Sequence, residues 1–370
     1  KRKKMVVTSE ALEEWLLTQP QINSLFQEFI DMLRRRKIRG SDRCSRETLQ
    51  LMKKMLGSCR WQHTQQMMDH ISAVGVALME ARPMELAIGN IVRRVLFIIR
   101  EEFATKLSEE SVGDGKVSYS MQPSLGGVLS NSSASPDYSL PVKNLISNIM
   151  TQLSDLIEEL DSTYDEISAQ AEDHIPDGAK ILTFGKSRSV ELFFRAASKK
   201  QRNFQVIVCE SAPYYGGQEM ARCLCAAGIE TTLIQDAAVF AIMPLVDKVF
   251  LPTHAVMANG GLIAPSGGHM VALSAREHSV PVVCITSLFK LCPLYPHDLE
   301  EFNELTSPSV VLDYESDQTL LEKADVLNPE YDYIPPDLLD LYLTNTGGHQ
   351  PSYVYRLLAE CYHTDDRSLI

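Results

Sequence analysis

The sequence lacks a phosphate loop, a dinucleotide fingerprint, paired cysteines and any long apolar run, and each absence removes a class of function. A Walker loop needs two glycines with four residues between them in one loop. Here Gly185-Lys186-Ser187 supplies the second half, but the six residues between Gly178 and Gly185 read as the strand itself, so the cradle is missing. No G-x-G-x-x-G follows a strand, which removes the usual dinucleotide site, and no G-x-S-x-G elbow anchors a serine hydrolase. His254, His269 and His278 stand 15 and 9 residues apart with no cysteine or carboxylate at ligand spacing, so neither a metal nor a cofactor is expected. The eight cysteines form no C-x-x-C pair. Cys209 and Cys284 fall on strand patterns, and Cys223 and Cys225 on a helix, as reduced core thiols do. The longest apolar run, Ala237–Val246, is half the ~20 residues of a membrane span and is broken by Pro244. The start, KRKKMVVTSEALEEWL, has no apolar signal core, so nothing in it suggests secretion.

Charge is uneven. The net value is −13, yet residues 1–60 carry 14 Lys and Arg against 7 Asp and Glu, concentrated in RRRKIRGSDRCSR (34–46). Such a cluster is either a solvated helix end or an attractor of an acidic or phosphorylated partner. No aromatic residue interleaves it, so base stacking with nucleic acid is unsupported.

Apolar residues from Leu12 to Leu107 recur at three- and four-residue intervals, which predicts an all-helical N-terminal domain over 1–107, with Gly57 and Pro83 as punctuation. Between Ser108 and Ser139 ten serines and four glycines replace the aliphatic residues, and 108–141 is expected to be a disordered loop. A stripe from Leu145 through Leu160 to Ile167 predicts a linker helix within 142–178, stopped at Pro176-Asp177-Gly178.

The organising stretch is 179–286. Short apolar runs (Ile181–Phe184, 204–211, 230–236, 248–253 and 280–286) alternate with helical patterns, the signature of βα units winding a parallel sheet. Runs without polar alternation imply helices on both faces. One further strand is expected at Val310–Leu312, then two short helices separated by Gly347-Gly348, all within an α/β domain over 179–370. Ligands in such sheets sit at the carboxyl ends of the strands. That selects Gly185–Arg188, Glu210–Gly217, Asp236 and Thr253–Gly261. Asp236, after the third strand, is placed as either a helix cap or a catalytic acid. Asn259-Gly260-Gly261 is either a turn or a close backbone approach to a ligand. Tyr331, Tyr333, Pro335, Tyr353 and Tyr355 are expected to form either a subunit interface or packing onto the chain's own sheet.

Several stretches carry a resemblance: KIRGS (37–41), CESAPYYGGQEMA (209–221), IETTLIQDAAVFAIM (229–243), THAVMANGGL (253–262), NPEYDYIPPDLL (328–339) and GGHQPSYVYRLLAE near the end. Over residues 10–366 the chain resembles the regulatory alpha, beta and delta subunits of eukaryotic translation initiation factor 2B, the beta type most. That family is related to isomerases acting on methylthioribose 1-phosphate and ribose 1,5-bisphosphate. The resemblance implies an N-terminal helical domain followed by a Rossmann-like domain.

It also implies a worn pocket. The isomerases' cysteine falls at Gly185 and their aspartate at Asp236. Their phosphate-binding arginines fall at Arg39 and Arg82, and Asn259 and Gly260 persist. Lys186, Ser187 and Arg188 complete the vestigial sugar-phosphate site. Proton transfer needs both members of a pair within reach of one substrate, and glycine has no titratable group. The family implies a non-catalytic scaffold and sensor in the cytoplasm. Its partners are the other subunits of initiation factor 2B (alpha, delta, gamma and epsilon types) and initiation factor 2, including its phosphorylated alpha subunit. Arg34, Arg35 and Arg36, with Arg39, are the candidate phosphate sensors. A live sugar-phosphate isomerase and a metabolite-binding regulator are the alternatives.

Overall fold

The computed structural model describes residues 9–111, 137–140, 144–296, 303–314 and 323–369. The chain divides into two compact units, Lys1–Leu160 with Ala359–Ile370, and Asp161–Leu358. Most of the Ser- and Gly-rich stretch, and the disorder expected of it, lies outside the described residues.

The first unit holds α1 (Ser9–Leu17), α2 (Pro20–Arg34), α3 (Ser41–Ser58), α4 (Thr64–Ala81) and α5 (Leu86–Ser111). Pro20 opens α2, where its missing N–H removes no intrahelical bond. The three- and four-residue spacing then buries Ile22, Phe26, Phe29, Ile30 and Leu33 along one face. Gly75 lets α4 approach α5, since a Cβ there would lie 2.5 Å from Val92 Cγ1. Helix α6 (Leu145–Ala169) follows, and the division between units falls within it, at Leu160.

The last residues depart from the expected domain bounds. Residues 359–370 join the helices rather than the sheet. The physical reason is a buried ion pair: Arg100 on α5 donates to both carboxylate oxygens of Asp366 at 2.7 Å. Arg93 donates to the carbonyls of Asp366 and Arg367 at 3.2 Å. Among the described residues no helix is long and apolar enough to cross a membrane.

The second unit is a mostly parallel α/β sheet. Its elements are β1 (Lys180–Phe184), α7 (Arg188–Lys199), β2 (Gln205–Cys209), α8 (Gly216–Ala226), β3 (Glu230–Ile234) and β4 (Lys248–Pro252). After these come β5 (Ala255–Val256), β6 (Leu262–Pro265), α9 (Gly268–Glu277), β7 (Val282–Ile285), β8 (Tyr331–Ile334), β9 (Leu341–Thr344) and β10 (Gly347–His349). Helix α10 (Val354–Cys361) ends the series. Seven strands form one sheet in the order β10-β9-β7-β4-β1-β2-β3, and β5-β6-β8 form a small antiparallel sheet. Val190, Phe193, Phe194 and Ala197 of α7 pack onto Ile181, Val206, Val208 and Phe250 of the strands. Phe193 and Phe194 lie 5.3 and 5.7 Å from the Phe250 ring.

Three expectations are corrected here. Val310–Leu312 is no strand: Pro308–Val310 forms a 3₁₀ turn capped by Ser307. The C-terminal stretch is not two helices about Gly347-Gly348. The run Leu341–Thr344 enters the sheet beside β7, and Gly347–His349 folds back on it as a hairpin. The α-helix there is Val354–Cys361, with 3₁₀ turns at Pro336–Leu338 and Pro351–Tyr353. The helix expected after β3 is one turn, Val239–Ile242, flanked by 3₁₀ segments, because Pro244 cannot donate within a longer helix.

Candidate functional site

Strand order reverses at β1. The chain steps outward through β2 and β3, then returns to place β4 on the other side of β1. The crevice outside the carboxyl ends of β1 and β4 is therefore the switch point where such folds bind ligands. Gly185 leads out of β1 and Thr253 out of β4.

Gly185 is buried with φ +63°, and a Cβ there would meet Ser211 Oγ at 3.2 Å. A cysteine in its place would carry a left-handed strain of about 1 kcal/mol. Lys186 donates to the Glu219 carboxylate on α8, which holds the ammonium above its ordinary pKa. Ser187 stands at the N-cap of α7 but makes no side-chain cap bond. The Arg188 guanidinium lies 5.0 Å over the Tyr164 ring, a cation–π contact. The three residues after β1 therefore present two cations that are each engaged by another side chain.

Asp236 caps no helix of its own. Its carboxylate accepts from Ser211 N at 2.9 Å and Ala212 N at 2.7 Å. It thereby fixes the loop after β2, in which Ser211 and Tyr215 hold positive φ of 58° and 55°. The structure gives Asp236 a role that neither sequence reading included, a loop clamp. Asp236→Ala is expected to lower stability by about 2 kcal/mol, the scale of hydrogen bonds to a charged group. Amide exchange at 210–215 should accelerate selectively. Unchanged exchange there would remove the clamp. The nearest thiol, Cys209, is buried, and burial with the Asp236 charge pushes it up to about 12. It is no nucleophile at neutral pH.

Asn259-Gly260-Gly261 is a turn of the chain on itself. Asn259 Oδ1 accepts from Gly261 N at 3.0 Å, and its Nδ2 donates to Tyr333 OH at 2.6 Å. Gly260 has φ +81°, and a Cβ there would meet the Pro351 carbonyl at 2.5 Å. Tyr342 OH donates to Gly260 O at 2.8 Å. The close approach that requires glycine is to the chain's own backbone.

The tyrosines divide. Tyr331 is buried in β8 and stacks on His254 at 4.3 Å, so it packs within its own sheet. Tyr333 packs under Gly261, and Pro335 is half-buried beyond β8. Tyr353 stacks on His349 at 5.3 Å, whereas Tyr355 is 69% exposed. The interface reading is corrected for Tyr331, which stacking and strand pairing hold within the unit.

In the helical unit, Arg82 donates to Ile38 O at 2.7 Å and lies 3.9 Å from the Glu85 carboxylate. That bond holds the turn before Arg39, which is exposed. Arg34 is exposed, Arg35 pairs with Asp31 at 3.3 Å, and Arg36 is half-buried with φ +50°. Among the described residues no group of three His, Cys, Asp or Glu side chains could hold a metal.

Sequence reasoning selects Thr253 only as the start of Thr253–Gly261 and passes over Thr286 and Ser287. Thr253, Thr286 and Ser287 are buried at the ends of β4 and β7, and their side-chain oxygens have no hydrogen-bond partner. Lys290 donates to Thr253 O at 2.7 Å. The available signal was a hydroxyl residue closing each apolar strand.

Comparison with known proteins places this arrangement. The chain is 40% identical over 372 residues to translation initiation factor eIF2B subunit beta of Dictyostelium discoideum, covering 92% of this chain and 95% of that one. It is 38% identical to the Schizosaccharomyces pombe beta subunit, over 95% and 98% of the two chains. Among solved structures it is similar to a chain of the tetrameric eIF2B-beta2-delta2 complex from C. thermophilum. There the TM-score is 0.68 and the identity 28%, over 92% of this chain and 95% of that one. Residues 37–351 match the model of one family. The chain belongs to the initiation factor 2 subunit family.

Proposed function

We propose that this chain is a non-catalytic, beta-type regulatory subunit of the cytoplasmic initiation factor 2B guanine-nucleotide exchange complex. In this reading it binds initiation factor 2, responds to phosphorylation of that factor's alpha subunit, and helps hold the catalytic subunits in place. The observation that carries it is the state of Asp236. The one acid retained from the isomerase pattern has both oxygens committed to backbone N–H groups, and the partner position is Gly185. A general base must reach the proton that it abstracts, and here each oxygen accepts a bond that holds the loop after β2. Similarity to beta subunits along nearly their whole length supports the assembly role.

The basic cluster supplies the sensing surface. Arg34 and Arg39 are exposed, and the Arg35–Asp31 pair is solvent-screened enough to exchange for a phosphate. GDP release from initiation factor 2 tests the reading, with complexes assembled with and without this chain. Alone it should not accelerate release. Added to the other subunits it should restore both exchange and its inhibition by the phosphorylated factor. Changing Arg34, Arg35 and Arg36 together to alanine should relieve that inhibition and leave exchange intact. Complexes that behave identically without the chain would end the regulatory reading, while normal inhibition of the arginine variant would end only the sensor assignment.

The buried hydroxyls favour a second reading, in which the switch-point crevice holds a small polar ligand against Thr253, Thr286 and Ser287. Buried polar groups are ordinarily satisfied by protein, water or ligand. Native mass spectrometry of the complex should then show a mass adduct that Thr286→Val abolishes. Equal masses for both proteins would reject this reading.

A further inference from the structure

Both tryptophans of the chain lie together in the helical unit. Trp15 and Trp61 stack at 5.7 Å, and the His70 ring packs on Trp15 at 4.5 Å. Trp61 Nε1 donates to Leu56 O at 3.3 Å. Its one polar atom is thereby satisfied, and the ring is left as an apolar wall. That ring borders a cleft of about 450 Å³, within the ~300–1,000 Å³ of sites that hold small organic molecules. Met67, Leu140 and Ile146 continue the apolar lining, and Leu140 and Ile146 are 45% and 39% exposed.

The start of α4 gives the same cleft a polar end. His63 stands at the N-cap, and Thr64 and Met67 belong to the first turn. The first N–H groups of a helix have no partner within it, and the His63 side chain caps none of them. Gln65 N donates to Tyr138 O at 3.2 Å, while among the described residues Thr64 N has no acceptor. Thr64 lines the cleft and is only 5% exposed, yet among the described residues its hydroxyl makes no hydrogen bond. A hydroxyl so placed is ordinarily bonded to protein, water or ligand.

Charge selects the ligand. A second helix start lines the cleft through Leu145 and Ser147 of α6. Each helix N-terminus carries a partial positive charge and favours an anion. Among the described residues no aspartate or glutamate lines the cleft to hold a cation, and no lysine or arginine supplies a full positive charge. Anionic charge alone is therefore held weakly, and the Trp61 wall must contribute by burying an apolar body.

We propose that this cleft binds a small aromatic anion. Its ring packs on Trp61, and its single carboxylate or phosphate group reaches the N-terminus of α4, where Thr64 donates to it. Such a site lies wholly within the helical unit and does not depend on the assembly reading above.

Phenyl phosphate and benzoate, which carry the two anionic heads on one ring, are titrated separately into the full chain. Both tryptophans sit beside the cleft, so intrinsic fluorescence reads it directly. At least one of the two anions should give a saturable change, and the tighter one identifies the head. Benzyl alcohol has the ring without the charge, and inorganic phosphate the charge without the ring. Each should bind about tenfold more weakly or worse. Thr64→Val keeps the shape and removes the hydroxyl. It should lose about tenfold in affinity for the anionic probe, the scale of a hydrogen bond to a charged group, and bind benzyl alcohol as the parent does. In the unaltered protein, amides of 64–67 should exchange more slowly when the probe is added, a readout independent of any variant's folding. No saturable response to either anion overturns the proposal. Benzyl alcohol or inorganic phosphate binding within twofold of the better anion overturns it as well, since the cleft would then read only the ring or only the charge. Unchanged exchange at 64–67, or a Thr64→Val variant within twofold of the parent, places the probe elsewhere and overturns it too.

Discussion

Asp366→Ala should cost about 3–5 kcal/mol, the scale for removing one partner of a buried ion pair. Arg100 and Asp366 keep only 9% and 5% of their side-chain surface exposed. The guanidinium lies 5.1 Å over the Tyr138 ring, and its two bonds to the carboxylate are each 2.7 Å. Truncating Asp366 strands a buried cation, and it also frees the segment whose carbonyls Arg93 holds. The helical unit should therefore melt on the order of 10 °C lower, with the last residues cleaved early by protease. Replacing the pair together, as Arg100→Met with Asp366→Leu, should recover most of the loss, because well-packed apolar residues substitute for buried pairs at little cost. If the single variant melts within about 2 °C of the parent, the clasp between α5 and the C-terminal segment contributes little. If the double variant is no better than the single, the loss comes from the loop and not from a stranded charge.

That clasp was invisible in the sequence, and the reason is general to this chain. Arg100 and Asp366 are separated by 266 positions, and nothing local marks either as a partner. What was legible was local. The period of Ile22, Phe26, Phe29 and Leu33 was enough to place a helix, and the unbroken run Ile181–Phe184 a buried parallel strand. Element type failed where short runs were ambiguous. Leu341–Thr344 follows Asp-rich, Pro-containing chain and reads equally as a helical turn, and only its pairing with β7 makes it a strand. Pro244 cuts the helix after β3 to a single turn, and that turn leaves Phe240 outward.

The site divides in the same way. Topology directs attention to the carboxyl ends of the strands, where Gly185 follows β1, Asp236 follows β3 and Asn259 lies beyond β4. Their roles were not legible, because a side chain's use depends on what the fold brings beside it. Asp236 was read as cap or catalyst because its sequence neighbours are Gln235 and Ala237. Its actual partners, the N–H groups of Ser211 and Ala212, arrive from the loop after the adjoining strand. Asn259-Gly260 reads from sequence as either a turn or a close approach to a ligand, and the group that approaches is Pro351 of the same chain. Thr286 and Ser287 are marked in the sequence only by closing an apolar strand, and nothing there shows that their hydroxyls lack partners.

Gly217→Ala should be the most damaging single change at the switch-point face, for a reason that involves no unusual backbone angle. A Cβ at Gly217 would stand 1.8 Å from the carbonyl oxygen of Cys209, 2.7 Å from its carbon and 2.8 Å from Glu210 Cα. All three are backbone atoms of the end of β2, so no rotamer relieves the overlap. Helix α8 must move away from the sheet, breaking the 3.0 Å bond from Gly217 N to Glu210 O. It would also carry Glu219 from Lys186 and disturb the loop that Asp236 clamps. Overpacking of this kind costs about 3 kcal/mol. Gly228→Ala isolates the alternative cause. Gly228 has φ +78° but nothing within 4 Å of an added Cβ, so its variant carries only the left-handed penalty of about 1 kcal/mol. Melting of the two variants should separate by several degrees, with Gly217→Ala lower. Exchange at 210–219 should rise in that variant alone. Equal melting points would mean that α8 slides aside freely, and the close seating of α8 on β2 would then lose its role in fixing the loop beyond β2.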